Sequence, residues 1–131
     1  MNKKTNKKTN KSYCFRDHVW TNHRTFSNFN LFDHLSRQAY FSENTFGPFN
    51  GSSGVIDHIK QEIEEIEKQP NDLEEWIDLI ILAFDGAMRE GYGDEEIIAQ
   101  LVLKQNKNEK RKWPDWRTVK AGKTINHIKE E

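Results

Sequence analysis

The strongest constraint on the fold is the periodic spacing of isoleucines in the middle of the chain. Apolar residues at i, i+3, i+7 and i+10 mark one face of an amphipathic helix, and this spacing is met by Ile56, Ile59, Ile63 and Ile66. The helix ends near Gln69-Pro70, because proline disfavours helical geometry in the residue before it. No segment shows the alternating apolar pattern of a convincing strand, so we predict an all-α fold.

Other segments have helical signals of their own. A helix over roughly residues 30–42 is indicated by three apolar residues at near-helical spacing, and the stretch 46–54 is predicted to be a loop by its composition. A second clear helix extends from the N-cap Asp72 to the glycines near 91, and its broad apolar face predicts that it is largely buried. A third begins at Asp94, becomes basic and stops at 113–114; beyond it we expect a polar tail with one short helix.

The first twelve residues differ in composition from the rest of the chain. They nearly repeat Asn-Lys-Lys-Thr and contain five lysines, no acid and no apolar residue after the initiator. We therefore predict a disordered tail over residues 1–12 and one all-α domain over residues 13–131. The formal net charge of −1 thus combines a basic tail with a body of charge −6, which disfavours nucleic acid as a partner.

Composition excludes several protein classes. No apolar run approaches the roughly 20 residues of a membrane span, so we expect no membrane partner. The only cysteine, Cys14, cannot form an intrachain disulfide, which favours a reducing, cytoplasmic setting. Only 34% of the 131 residues are hydrophobic, which leaves little core, so we expect a homo-oligomer, either a dimer or a tetramer.

Aromatic residues are concentrated before the isoleucine helix. Ten of the fifteen lie between residues 13 and 50, and such a stretch must pack against something. We expect most of these rings in the core, with a few available to contact a ligand.

Carboxylates flank the apolar faces of the two clearest helices. On a helical wheel, Glu62 and Glu65 lie just beside the isoleucine face, and Glu75 and Asp78 border the apolar face of the next helix. Because a short turn joins the helices, an antiparallel arrangement can bring the four side chains together as the hard oxygen ligands that Mg²⁺ prefers. The alternative is that they are ordinary solvated carboxylates, which charged helices have in plenty.

The end of the third clear helix has the opposite charge. Positions i, i+3, i+4 and i+7 place three cations and an amide on one face: Lys104, Lys107, Asn108 and Arg111. Arginine forks and lysine point charges commonly bind polyphosphate. The alternative is a solvated basic end that the helix dipole stabilises. An acidic cluster and a basic face in one small α-helical domain together favour a metal-bound triphosphate as the ligand.

Four segments carry a resemblance to a known family: HLSRQAYFSENTFGP (34–48), GVIDHIKQEIEEIE (54–67), LEEWIDLIILAFDGAMREGY (73–92) and KQNKNEKRKWPDWRT (104–118). Over roughly residues 30–128 the chain resembles the dATP/dGTP diphosphohydrolase branch of the MazG-like all-α nucleoside triphosphate pyrophosphatases, which are common in phages and bacteria. The resemblance implies a MazG-like helical bundle, and a location in the cytoplasm of a bacterium or of a phage-infected host.

The resemblance also implies an activity and a site. The activity is hydrolysis of dATP or dGTP to a nucleoside monophosphate and pyrophosphate, with Mg²⁺, or alternatively Mn²⁺, as cofactor. The implied catalytic and metal-binding residues are Glu62, Glu65, Glu75 and Asp78, and the implied phosphate-binding residues are Lys104, Lys107, Asn108 and Arg111. Glu65 is our first choice to accept the proton of the attacking water. In one departure from the family, residues 50–53 stand where a basic residue is expected after Phe-Gly-Pro.

Recognition of the base requires an aromatic or polar pocket. The candidates for this role are Phe46, His58, Arg37 and Gln38. For His58 two roles are open, because it could contact the substrate or hydrogen-bond an acidic neighbour.

Two other functions stay open. One is an all-α pyrophosphatase for pyrimidine nucleotides such as dUTP or dCTP. The other is a non-enzymatic nucleic-acid or protein adaptor that uses the lysine tail and the basic helix end, although the acidic body argues against it. The adaptor predicts salt-sensitive DNA binding and indifference to Mg²⁺, whereas the enzyme predicts the reverse.

Overall fold

The computed structural model of the chain describes residues 29–130, and these residues form a bundle of four α-helices. The helices are α1 (Leu31–Phe46), α2 (Ser53–Lys68), α3 (Leu73–Arg89) and α4 (Asp94–Lys110), followed by the 3-10 helix η1 (Trp116–Thr118). No strand occurs among residues 29–130, which confirms the predicted all-α class. The tail that we predict to be disordered, residues 1–12, and Cys14 lie outside the described residues.

The helix boundaries follow local capping. At the start of α1 the Asn30 side chain accepts a hydrogen bond from the Asp33 N–H at 2.8 Å, as is typical of an N-cap. α1 extends past its predicted end at residue 42, because no helix-breaking residue precedes Gly47, whose φ of 95° ends it. α3 and α4 agree with their predicted limits to within two residues.

α2 and α3 form an antiparallel hairpin, which is the most extensive helix packing in the structure. The two helices approach closely at Gly86, where an added Cβ would lie 3.4 Å from the Val55 side chain. α1 packs against α3 and α4, whereas α2 and α4 do not touch within the described residues. One side of the hairpin is therefore left uncovered by the rest of the described chain.

The core is small. The buried apolar side chains among residues 29–130 are Leu35, Val55, Ile66 and Met88. Our prediction that most of the aromatic rings lie in the core is wrong for the described chain, because Tyr40, Phe41 and Phe46 are 57–74% exposed. No other described helix buries these rings, although Phe41 and Phe46 line a cavity bounded by α1, α2 and α3.

The predicted burial of α3 is also wrong for a single chain. Trp76, Ile77 and Ile80 are 42–49% exposed on the uncovered side of the α2–α3 hairpin. An apolar face in the sequence predicts that a surface is covered, but it does not say whether the chain itself covers it.

The segment after α4 folds back on the end of that helix. The Ile128 N–H donates to the Lys112 carbonyl at 2.8 Å, and the rings of Trp113 and His127 pack edge to face with centroids 5.9 Å apart. η1 confirms the short helix that we predict in the tail. Among the described helices, none combines the length and the apolar character that a membrane crossing requires.

Candidate metal and nucleotide site

Three of the four predicted metal ligands converge on the α2–α3 hairpin. Glu62 and Glu65 are one turn apart on α2, Glu75 lies in the first turn of α3, and one carboxylate oxygen of each lies within 4.8 Å of the others. They meet because only the short turn 69–72 separates the two antiparallel helices. Asp78 is not part of this group; it is exposed and lines the adjoining cavity.

Glu62 is the most buried member of this carboxylate cluster. It is 7% exposed, and its Oε1 lies 3.0 Å from His58 Nε2. Its Oε2 is buried without a hydrogen-bond partner among the described residues. An unsatisfied buried polar atom is unfavourable by about 1–3 kcal/mol, and by more for a charged group. A cation held between the carboxylates would satisfy this oxygen, so the residues present fit a hard divalent metal ion.

Desolvation and repulsion within the carboxylate cluster both affect the pKa of Glu75. Desolvation of its half-buried side chain, followed by the negative charges of Glu65, Asp72 and Glu62, raises the pKa of Glu75 above its usual value. Within residues 29–130, no lysine or arginine forms an ion pair with any of the three clustered carboxylates. Their negative charge is therefore left for a bound cation to compensate.

A cavity of about 560 Å³, within the size range of small-molecule sites, adjoins the carboxylate cluster. It is bounded by the end of α1, the loop 47–52, the first ten residues of α2 and the part of α3 from Asp78 to Arg89. Its lining residues include Phe41, Phe46, Asn50, Gly51, Val55, His58, Glu62, Asp78, Asp85 and Arg89. The rings of Phe41 and Phe46 stand perpendicular, with centroids 6.0 Å apart. Carboxylates and aromatic rings thus face one cavity, which we call the nucleotide cavity because the sequence predicts a nucleotide as its ligand.

The four candidates for base recognition occupy different places. Phe46 and His58 line the nucleotide cavity, and His58 also contacts the acidic neighbour Glu62. Arg37 is exposed on α1 and is not among the lining residues. Gln38 is buried, and its amide donates to the Ile81 carbonyl at 2.6 Å, so it joins α1 to α3.

Sequence reasoning assigned no role to a buried polar network beside the same cavity. Asp85 accepts a hydrogen bond from Ser42 Oγ at 2.6 Å and pairs with Arg89, whose Nε lies 3.2 Å from Asp85 Oδ2. A signal for the ion pair was present, since Asp85 borders the apolar face of α3 and Arg89 follows one turn later, at a spacing that pairs opposite charges. The contact with α1 has no such signal, because it joins residues 43 positions apart.

The predicted phosphate-binding residues lie together at the end of α4. Arg111 is the C-cap and donates to Asn108 Oδ1 at 3.1 Å. Lys107 and Arg111 line a second cavity, of about 700 Å³, together with Lys110, Lys112, His127 and Lys129. Desolvation, followed by the positive charges of Arg111, Lys104 and nearby lysines, lowers the pKa of His127 below its usual value. Such a concentration of cations is suited to binding an anion.

The nucleotide cavity and this basic cavity share no lining residue. α4 packs against α1 and α3, whereas Glu62 and Glu65 lie on α2. Among residues 29–130 of one chain, the predicted phosphate-binding residues therefore neither line the cavity beside the carboxylate cluster nor form an ion pair with the cluster.

Comparison with family models decides which proteins the chain is related to. The model of the dATP/dGTP pyrophosphohydrolase family matches residues 34–131, which span α1 to α4 apart from the first residues of α1. The chain belongs to the dATP/dGTP pyrophosphohydrolase family. This membership confirms the resemblance, and with it the predicted class of hydrolases that act on nucleotides.

The fold of this member of the dATP/dGTP pyrophosphohydrolase family also occurs in a solved structure. The cyanophage S-2L MazG-like pyrophosphohydrolase, bound to dGDP and three catalytic Mn²⁺ ions per active site, matches it with a TM-score of 0.62 and 20% sequence identity. The match covers 80% of this chain and 99% of that chain, which confirms the MazG-like fold. Comparison with curated proteins gives no match.

Proposed function

We propose that the chain is a metal-dependent pyrophosphohydrolase that converts dATP or dGTP to the nucleoside monophosphate and pyrophosphate. The observation that carries the proposal is the cluster of Glu62, Glu65 and Glu75 beside a cavity of nucleotide size. Family membership supports the reaction. The dGDP and Mn²⁺ bound to the cyanophage protein support a purine nucleotide and a divalent metal ion.

The carboxylate cluster would hold Mg²⁺ or Mn²⁺, and Asp78 would join it from the side of the nucleotide cavity. When bound, the metal would neutralise charge on the triphosphate and make the attacking water more acidic. His58 contacts Oε1 of Glu62 and thereby orients the carboxylate so that its unpartnered Oε2 is the free ligand atom.

The reaction adds water across the bond between the α- and β-phosphoryl groups. The oxygen of water attacks phosphorus, the bridging P–O bond breaks, and the bridging oxygen leaves with the electron pair. Glu65 is the proton acceptor that we propose, since it is exposed and belongs to the carboxylate cluster. Phe46 offers a ring on which the base could stack, and it lines the nucleotide cavity.

The arrangement of charge and apolar surface supports a homo-oligomer, a dimer or a tetramer. In the assembly that we propose, α4 of one chain supplies Lys104, Lys107, Asn108 and Arg111 to the carboxylate cluster of another. Two observations support this: these residues do not line the nucleotide cavity of their own chain, and large apolar side chains such as Ile80 on the hairpin and residues 101–103 on α4 are about half exposed. Opposite charges on the two surfaces favour their association.

The test of the reaction is a substrate panel. Purified protein is incubated with each common NTP and dNTP in Mg²⁺, in Mn²⁺ or in chelator, and the products are resolved by ion-exchange chromatography. We expect metal-dependent release of monophosphate and pyrophosphate from dATP or dGTP, and a loss of at least about a thousandfold in Glu62→Gln. Glu64→Gln, on the same helix but outside the carboxylate cluster, is the matched control and should retain activity.

The panel also separates the other candidate functions. Preference for dUTP or dCTP would replace the purine assignment with a pyrimidine pyrophosphatase. No turnover of any nucleotide with either metal would overturn the proposal and favour the adaptor, which should bind DNA in a salt-sensitive way and be unaffected by Glu62→Gln.

The shared site can be tested by mixing two variants that each have strongly reduced activity. If α4 acts on a neighbouring chain, random dimers of Glu62→Gln and Arg111→Ala contain one intact site in each heterodimer, which restores about a quarter of wild-type activity. Mixing Glu62→Gln with Glu65→Gln should restore nothing, because both residues come from the same hairpin. Failure of the first mixture, after subunit exchange has been verified, would place the phosphate-binding residues in their own chain's site or outside it.

A further inference from the structure

The buried network of Ser42, Asp85 and Arg89 joins α1 to the end of α3. Ser42 and Asp85 are 2% and 6% exposed, and the Arg89 side chain is 9% exposed. Arg89 Nη2 donates to Ser42 Oγ at 2.9 Å, and its Nε donates to Asp85 at 3.2 Å. The guanidinium charge is thus compensated within the protein, which makes the network more than a fortuitous surface contact.

Arg89 also reaches the beginning of the loop 47–52. Its two Nη atoms donate to the carbonyls of Gly47 and Pro48, each at 3.4 Å, and its guanidinium lies over the Phe49 ring, 5.0 Å from the centroid. These contacts occupy the donors of Arg89 with the protein's own backbone and side chains, so it has little capacity left to bind a substrate.

Glu90, the next residue, holds the other end of the same loop. Its Oε1 accepts hydrogen bonds from the Ser52 N–H at 3.0 Å and from Ser52 Oγ at 2.5 Å. Two adjacent residues at the end of α3 therefore hold both ends of a six-residue loop. Because these contacts lie on opposite ends of the loop, each reduces the conformations available to the residues between them.

The loop that they hold is part of the nucleotide cavity. Asn50 and Gly51 line that cavity, and the residues that follow, Ser53 and Gly54, line it as well. Gly47 and Gly51 have φ values of 95° and 81°, so the loop depends on glycine conformations that an unrestrained chain would leave readily. The loop therefore forms one wall of the nucleotide cavity, and its position is set largely by the contacts that it makes with the end of α3.

We infer that Arg89 and Glu90 are positioning residues that clamp the loop 47–52 as a wall of the nucleotide cavity and so set its affinity for nucleotide. The inference rests on the proposed function for the identity of the ligand. The clamp lies at the end of α3 opposite to Glu75, so it acts on nucleotide binding and leaves the carboxylate cluster in place.

Steady-state kinetics of clamp variants test the inference. Arg89→Lys keeps a positive charge beside Asp85 but lacks the fork that reaches Ser42 and the loop carbonyls. We expect KM for the preferred triphosphate to rise about tenfold or more, with kcat within about threefold of wild type, since uniform binding is lost and the chemical step is not. Mn²⁺ affinity, measured by electron paramagnetic resonance, should be unchanged.

Variants of Glu90 test the same clamp without changing a buried side chain. The Glu90 side chain is exposed, so its substitution should leave folding intact even if Arg89→Lys impairs it. Glu90→Ala should raise KM about three- to tenfold, and Glu90→Gln, whose amide oxygen still accepts from Ser52, should restore most of the loss. The matched controls are Glu67→Ala on α2 and Arg117→Lys in the tail, both exposed and remote from the loop. KM within about twofold of wild type in Arg89→Lys and Glu90→Ala would overturn the inference.

Hydrogen exchange separates failure of the clamp from failure of the proposed function. In the protein without nucleotide, Glu90→Ala should accelerate amide exchange over residues 47–54 and leave exchange in the α2–α3 turn unchanged. If wild type hydrolyses no nucleotide, the proposed function fails, and the clamp is then judged on exchange alone. Unchanged exchange over 47–54 in Glu90→Ala would show that Glu90 does not hold the loop.

Discussion

The carboxylate cluster and the basic end of α4 carry opposite charges, but each brings several groups of the same charge close together. In the first, desolvation and neighbouring acids raise the pKa of Glu75; in the second, desolvation and neighbouring cations lower the pKa of His127. Each region concentrates like charge, which opposes folding. A ligand of opposite charge would relieve each of them, and a metal-bound triphosphate carries both kinds of charge.

The two regions differ in how firmly the fold holds them. The carboxylate cluster lies between two packed helices, and one of its oxygens is buried and unpartnered. The basic end consists of a helix terminus and a returning tail, and its lysines are exposed. Water screens exposed charges more effectively than buried ones. Loss of an acidic residue should therefore have a larger effect than loss of a basic one.

The largest expected effect is on stabilisation by metal. At about 100 times its Kd, a metal ion bound only by the folded state stabilises it by about 2.7 kcal/mol, which raises Tm by roughly 10 °C for a domain of this size. Thermal unfolding followed by circular dichroism should show this rise with Mn²⁺ in wild type and in Glu64→Gln, and none in Glu62→Gln. Without metal, Glu62→Gln should be at least as stable as wild type, because a buried carboxylate charge with one unpartnered oxygen has been removed. A full metal-induced rise in Glu62→Gln would remove Glu62 from the ligands.

The basic end is expected to act on phosphate and not on metal. Arg111→Ala should lower kcat/KM for the triphosphate about 10- to 100-fold, the usual range for a lost charge-assisted hydrogen bond. The rise in Tm with Mn²⁺ should be the same as in wild type. Lys123→Ala, in the exposed tail, is the control. A normal kcat/KM in Arg111→Ala would mean that the basic end does not contact the substrate, and the functional link between the two regions would be broken.

The fold was largely predictable where the pattern is local. The periodic isoleucines and the capping residue Asp72 predicted α2 and α3 because helix formation depends on neighbours within one turn. The exposure of Phe41, Phe46 and Ile80 was not predictable, since the same apolar residues suit a core or a surface that another chain covers. Which of the two applies depends on how distant segments pack, and no local spacing encodes that.

The candidate site also has one part that local spacing predicts and another that depends on long-range packing. The grouping of Glu62, Glu65 and Glu75 followed from helical geometry and a short turn, and the structure brings these three together. The contact of Ser42 with Asp85, and the contacts of Arg89 and Glu90 with the loop 47–52, join residues about 40 positions apart. No periodic pattern relates such residues, so this part of the cavity became apparent only from the packing of α1 against α3.

A smaller effect is expected from the apolar surface of the hairpin, where we propose that the two regions of different chains meet. Ile80→Ala removes part of an exposed side chain, so it should leave the fold of each chain intact while weakening association by about 1–2 kcal/mol, or roughly tenfold in the dissociation constant. Light scattering over a dilution series measures the dissociation constant. Tyr40→Ala, at an exposed position on α1 outside the surfaces that we propose to associate, is the comparison. An unchanged dissociation constant in Ile80→Ala would exclude this part of α3 from the interface.

The smallest effect is expected on the pKa of His127, which depends directly on the positive charge at the basic end. Because desolvation and the surrounding cations lower its pKa, the folded protein should bind this proton less readily than the unfolded chain. His127 therefore lowers the free energy of unfolding as pH falls through the unfolded-state pKa near 6.5, and this loss ends once pH is below the folded-state pKa.

An NMR titration of the His127 ring measures this shift directly. It should give a pKa below 6.5 that rises when Lys129→Gln removes a nearby cation. Pyrophosphate should raise it too, since the bound anion offsets the same cations. If pyrophosphate left the pKa of His127 unchanged, the anion would bind elsewhere, and the basic end would be a solvated helix terminus.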